Sequence, residues 1–173
     1  MRSTSRLQAH WWHVAGLVFS VAFALVQTPV TTAQSTPPGE LAGIRAAAER
    51  FLRALDDLDW EAFRASSVSE PTVFFPFADT PDRVIGQVAV ETRWRRFFDE
   101  ARARRAGPPY LHLKPRDLRA ERYGDVGLVT FMLDGLSAAG GRQLPTQRRT
   151  LVFVREAETW KLAHLHASSA PQP

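Results

Sequence analysis

The apolar positions change period along the chain, and each change marks a part. Residues 14–26 form a 13-residue apolar run. Leu41, Ile44, Ala48, Phe51, Leu52, Leu55 and Leu58 then recur at steps of three and four. That spacing places them on one face of an amphipathic helix over about residues 40–58. Asp59 has the side chain to cap a short second helix carrying Trp60 and Phe63. Pro71 is expected to close that region. Residues 72–77 are β-rich, and Pro76 among them predicts an edge or irregular strand. Residues 79–86 read as a turn-rich loop. Val90, Trp94, Phe97, Phe98 and Ala101 restore the helical step and predict a third helix over residues 88–105, which Gly107, Pro108 and Pro109 break.

The period then falls to two. Strands are predicted over residues 110–123 (interrupted by Pro115), 126–134, 146–156 and 159–168. Gly124 and Asp125 supply one turn, Ala157 and Glu158 another, and residues 135–145 a Gly/Ala-rich loop. Helices first and a strand meander after predict an α+β domain. A curved antiparallel sheet would pack on three N-terminal helices, giving a cone. No internal repeat is present.

The first apolar run calls for a separate reading. Its 13 residues are too few to cross a hydrocarbon core of ~30 Å as a helix, which takes about 20. A polar, basic stretch precedes it, and Thr31 and Ala33 follow as small residues. This order predicts a secretory signal over residues 1–33, cleaved before Gln34, with an uncleaved anchor as the alternative. Residues 34–39 form a flexible lead-in and residues 40–171 the domain. An exported protein, periplasmic or secreted, with no stable membrane anchor after cleavage, is therefore expected.

Removing the leader changes the charge picture. The full chain of 173 residues carries 22 Lys and Arg against 18 Asp and Glu, a formal +4. Two of the basic residues, Arg2 and Arg6, fall in the leader, so the remainder is near balance. On the third helix Glu91, Asp99 and Glu100 interleave with the arginines. No nucleic-acid partner is expected. The absence of Cys excludes disulfides, thiol nucleophiles and thiolate metal sites. No phosphate-binding glycine motif, serine elbow or zinc motif occurs, so no cofactor and no metal are expected.

Two stretches carry a resemblance. One is Glu70-Pro71-Thr72-Val73-Phe74-Phe75-Pro76, followed by Gly86 and Arg96-Phe97-Phe98-Asp99-Glu100. The other is Arg149-Thr150-Leu151-Val152-Phe153, then Trp160 and His164-Leu165-His166-Ala167-Ser168-Ser169-Ala170-Pro171. With the element order, these resemble the nuclear-transport-factor-2-like superfamily (SnoaL-like), most specifically the association (hub) domain of calcium/calmodulin-dependent protein kinase II. The resemblance implies a deep apolar pocket between the helices and the concave sheet face. It also implies a homodimer through the convex face, with hub domains building larger rings. Hub pockets take small carboxylates through basic side chains. Those positions fall here on Trp94, Leu128, Leu151 and Ala167, none basic, which favours a more apolar ligand.

The candidate ligand-binding set is then Phe75, Phe77, Trp94, Phe98, Leu128, Thr130, Arg149, Leu151, Phe153 and Leu165. Arg149 is included because it shares parity with Leu151 and Phe153 and suits an acidic ligand group. Trp160, His164 and His166 share the other parity on the last strand and are candidates for the dimer face. The leading expectation is an exported dimeric protein that binds a small apolar molecule. The alternatives are a cofactor-free isomerase, cyclase or dehydratase using Asp134 or His164 and His166, and an oligomerisation module.

Overall fold

The helices form where the steps of three and four place them. The structure, a computed structural model, describes residues 38–76, 82–134 and 146–169. The expected signal, Phe77 and the whole Gly/Ala-rich loop of residues 135–145 lie outside the described residues. Helix α1 is Pro38–Asp56, α2 is Trp60–Ala65 and α3 is Gln87–Arg102. Asp59 caps α2 as expected, its carboxylate accepting the Ala62 N–H at 3.1 Å. Among the described residues no helix is long and apolar enough to cross a membrane.

The strands are β1 Ser67–Phe74, β2 Arg83–Ile85, β3 Lys114–Tyr123, β4 Val126–Asp134, β5 Gln147–Glu156 and β6 Thr159–Ser169. They form one sheet in the order β2-β1-β6-β5-β4-β3. Its pairs are antiparallel except β1 with β6, which is parallel. The helices pack on one face of this curved sheet, giving the expected α+β cone.

Three boundaries differ from the sequence reading, each for a local reason. Pro71 lies inside β1 instead of ending the region before it. The β1–β6 register breaks between Ser67 and Thr72, so the ladder asks no N–H of Pro71. Its carbonyl accepts the Gly86 N–H at 3.2 Å. β2 arises inside the predicted loop, since three residues are too few to show a period. β3 begins at Lys114 because Asp56 holds the chain before it. The Asp56 carbonyl accepts the Tyr110 N–H at 2.8 Å, and its carboxylate accepts those of Leu111 and Leu113, each at 3.2 Å.

Register sorts the two sheet faces. Val84, Val73, Leu165, Leu151, Val129 and Ala120 form one row across all six strands on the inner, helix-facing side. The next row, Ile85, Thr72, His164, Val152, Leu128 and Glu121, faces outward. In β6 the count is not strictly two. Leu162 pairs with Phe153 and His164 with Val152, so Ala163 is an extra residue, a bulge. Trp160 and Leu162 therefore turn inward with Leu165 and Ala167, and all four are buried.

Gly127 lies on the inner side where α1 crosses β4. A Cβ there would stand 3.0 Å from Ile44 Cγ1 and Cγ2, and Ile44 is fully buried. Gly127→Ala is expected to cost about 1–3 kcal/mol of stability through overpacking. Combining it with Ile44→Val should recover part of the loss. Chemical denaturation of the two variants checks this, and an unchanged midpoint for Gly127→Ala refutes the close approach.

Candidate functional site

Aromatic rings fill the middle of the inner side. The Phe63 ring lies 5.1 Å from Phe51, 5.0 Å from Trp94 and 5.1 Å from Phe98. Trp94 lies 4.9 Å from Phe75. Tilted and edge-to-face contacts of this kind add to the burial energy and fix the rings against one another. Phe98, Leu151 and Phe153 are sealed in this core. Their position on the inner side is as expected, and packing accounts for it.

Open space lies beside this cluster. Where β1 loses register with β6, a cavity of about 400 Å³ remains between α2, α3, β1 and the start of β6. Buried Phe63, Val73, Val90, Trp94, Leu162 and Leu165 supply its apolar surface. Glu61, Arg64, Glu91 and Lys161 bring charge to its edge. The Glu91 carboxylate accepts from Arg64 Nε and Gln87 Nε2, both at 2.8 Å. The Arg64 hydrogen bond is the main reason its pKa lies below the usual carboxylate range. Lys161 Nζ donates to the Ala65 carbonyl, and the Arg95 guanidinium stands 3.9 Å over the Trp60 ring. The edge charges are thus largely engaged with the protein itself.

Of the ten candidate ligand residues, Trp94 and Leu165 line this cavity. Phe75, Phe98, Leu151, Phe153 and Arg149 are buried on the inner side without lining it. Leu128 and Thr130 require a correction. They pair with Val152 and Thr150 and face outward, while Gly127, Val129, Phe131 and Leu133 face inward. β4 is apolar on both faces, so its alternation did not reveal which set was buried. Trp160 is also corrected, from the outer face to the core, by the Ala163 bulge. Trp60, Phe63, Val73 and Leu162 were missed as cavity residues. The only signal for them was the irregular strand implied by the prolines.

The candidate acid–base groups lie outward. Asp134 has the outward parity of β4, forms an ion pair with Arg116 and accepts from the Thr146 hydroxyl at 2.6 Å. Arg116 is the main cause of its lowered pKa, the opposite of what a general base in an apolar cone needs. His164 Nδ1 is 2.7 Å from the Thr72 hydroxyl, and Phe74 packs at 5.9 Å from His164 and 5.5 Å from His166. Burial first, then His166 and Arg83, keep the His164 pKa below its ordinary value. His164 and His166 thus lie on the outer face as expected. Neither lines the cavity. Among the described residues no group of three His, Asp or Glu side chains is placed to hold a metal ion.

Known proteins place this geometry in a family. The model of the SnoaL-like domain matches residues 44–173. Curated proteins give no significant match. Among solved structures, a nuclear-transport-factor-2-like protein of unknown function from Pseudomonas putida is 20% identical, with TM-score 0.65 over 80% of this chain and 92% of that one. A protein of the same fold from Streptomyces avermitilis, provisionally assigned as a dehydratase, is 19% identical, with TM-score 0.65 over 79% of this chain and all of that one. The calcium/calmodulin-dependent protein kinase II hub of S. rosetta is 23% identical, with TM-score 0.60 over 78% of this chain and 99% of that one. Such identities establish a shared fold. With the family model spanning the helices and the sheet, the chain belongs to the SnoaL-like family, on a nuclear-transport-factor-2-like cone.

Proposed function

We propose that the protein is an exported homodimer that binds a small, mostly apolar molecule. The observation that carries this reading is the cavity of about 400 Å³, in which buried Phe63, Val73, Val90, Trp94, Leu162 and Leu165 form an apolar floor beneath a polar rim. That volume falls within the ordinary range for small-molecule sites. An enzyme needs titratable groups converging on one cavity. Asp134, His164 and His166 lie on the outer side of the sheet, so the isomerase, cyclase or dehydratase alternative loses the residues it named. The dehydratase assignment of the Streptomyces relative supports the shared fold and not a shared reaction.

The outer sheet face supports the dimer. Phe74, Val126, Leu128, Met132, Val152 and Val154 present apolar side chains there, and Phe74 and Val126 are exposed. Hub domains of the same fold give a precedent for an assembly, which keeps the oligomerisation module as a second reading. Export rests on the leader sequence alone.

A thermal-shift and fluorescence screen tests binding, with the neutral aromatic 1-naphthol as first probe. Trp60→Ala should weaken a hit at the cavity about tenfold or more, because Trp60 lines it and is only half-buried. Equal binding by the variant contradicts the cavity assignment. N-terminal sequencing of exported material should begin at Gln34.

The folded chain should also lose stability in acid. Folding holds the His164 pKa below 6.5, so the folded state takes up this proton less readily than the unfolded chain. Stability from this group is complete above about pH 6.5 and is lost as pH falls through that value toward the lowered folded pKa. His166 and Arg83 face the same region and add like charge. Chemical denaturation at pH 7.5 and 5.5 should show a lower midpoint at the lower pH, with a smaller drop in His164→Gln. Sedimentation tests the dimer separately, and a monomer at micromolar concentration refutes it.

A further inference from the structure

The outer sheet face changes character along its strands. At the start of β4 and the end of β5 it carries Val126, Leu128, Val152 and Val154. Toward the end of β4 and the start of β5, two further rows lie beyond the row of His164. One row is Arg83, Phe74, His166, Thr150, Thr130 and Arg119. The next is Ser168, Arg148, Met132 and Arg116. These two rows hold four arginines and no carboxylate.

Four polar side chains meet where β5 and β6 cross this region. Thr150 pairs with His166, and Arg148 pairs with Ser168. Cβ atoms directly opposite stand about 5 Å apart and diagonal ones about 7–8 Å, so all four reach one small group. Arg148 and His166 are exposed, and Thr150 and Ser168 are partly buried. Among the described residues Arg83, Arg119 and Arg148 have no carboxylate partner. Asp134 lies one row farther on, where Arg116 and the Thr146 hydroxyl hold it. Asp117 sits beside Arg116 in the irregular part of β3. After burial, His166 and Arg83 are what lower the His164 pKa, so the local field is positive.

We propose that Arg148, His166, Thr150 and Ser168 form a surface site for a tetrahedral oxyanion of the phosphate or sulfate kind. The donors fix the class. The Arg148 guanidinium supplies charge and a fork of N–H donors, the two hydroxyls supply one donor each, and His166 adds a ring N–H. Donors converging from four corners suit the several oxygens of such an anion better than the two of a carboxylate. Arg83 and Arg119, at the two ends of the His166 row, help balance a second negative charge. The same field disfavours a metal cation at the His pair. The site does not rest on the dimer. A second copy docked on this face would bring the same cations, and a bound oxyanion would offset their repulsion.

Nuclear magnetic resonance of the full chain, titrated with inorganic phosphate at pH 7, tests the proposal against sodium chloride at matched ionic strength. Phosphate should move the backbone amide signals of Thr150, His166 and Ser168 along a saturating curve, and chloride should not. Sulfate should compete for the same site. Arg148→Gln should weaken phosphate binding about tenfold or more. Thr150→Val combined with Ser168→Ala should weaken it about threefold or more, since hydroxyl donors are lost and charge is kept. Arg50→Gln, at an exposed position on α1, should leave binding unchanged. The dispersion of each variant's spectrum reports its folding in the same measurement. Shifts that do not saturate, equal shifts with chloride, or parent-like binding by Arg148→Gln or by the hydroxyl double variant overturn the site. Sedimentation in the same buffers separates the site from the dimer, because saturable binding by a monomer upholds the first and refutes the second.

Discussion

A sheet that wraps around helices cannot keep two-residue alternation throughout, and this one gives it up at Ala163. β6 lies between β1 and β5, so its geometry is shared by both neighbours. The extra residue turns Trp160 and Leu162 onto the same side as Leu165 and Ala167. Without it, either Trp160 or Leu165 would lie outside. Bulges bend and twist a strand, so one residue supplies both the curvature and the continuous apolar lining. The opposite neighbour loses register at Ser67–Thr72, and the cavity opens beside that break. Curvature, core and cavity are therefore consequences of how β6 is paired.

The same constraint explains what the sequence could and could not reveal. Helical spacing marked α1 and α3 to within a few residues, since each has one apolar face and one polar face. The turns at Gly124 and Ala157 were legible from their residues, and both adopt positive φ in the fold. Parity along β4 and β6 was not legible. β4 has apolar side chains on both faces, one against the helices and one left open. β6 changes parity at an alanine that resembles any other strand residue. The contact that settles β4 is non-local: α1 sits so close at Gly127 that only the odd-numbered side can be inner. The α2 cavity was illegible for a similar reason, because it is a gap between elements and not a property of any one of them.

Fold and site carry different kinds of information here. Family membership accounts for the cone, and relatives on this cone bear quite different descriptions, from a hub to a provisional dehydratase. What distinguishes this chain is the placement of its polar groups. Carboxylates at Asp134 and Glu91 are held ionised by Arg116 and Arg64, which weakens them as bases.

The chain has 20 arginines, and their partners are unevenly arranged. Arg64, Arg96, Arg116 and Arg155 each have a carboxylate partner although they are exposed or half-exposed, where an ion pair contributes little. Arg149 is buried, where an unpaired charge costs most, and among the described residues it has an amide alone. A chain optimised for stability alone would place Met or Leu at that inner position, next to Leu151 and Phe131. Keeping a cation there costs folding free energy that a well-packed hydrocarbon side chain of similar size would not cost.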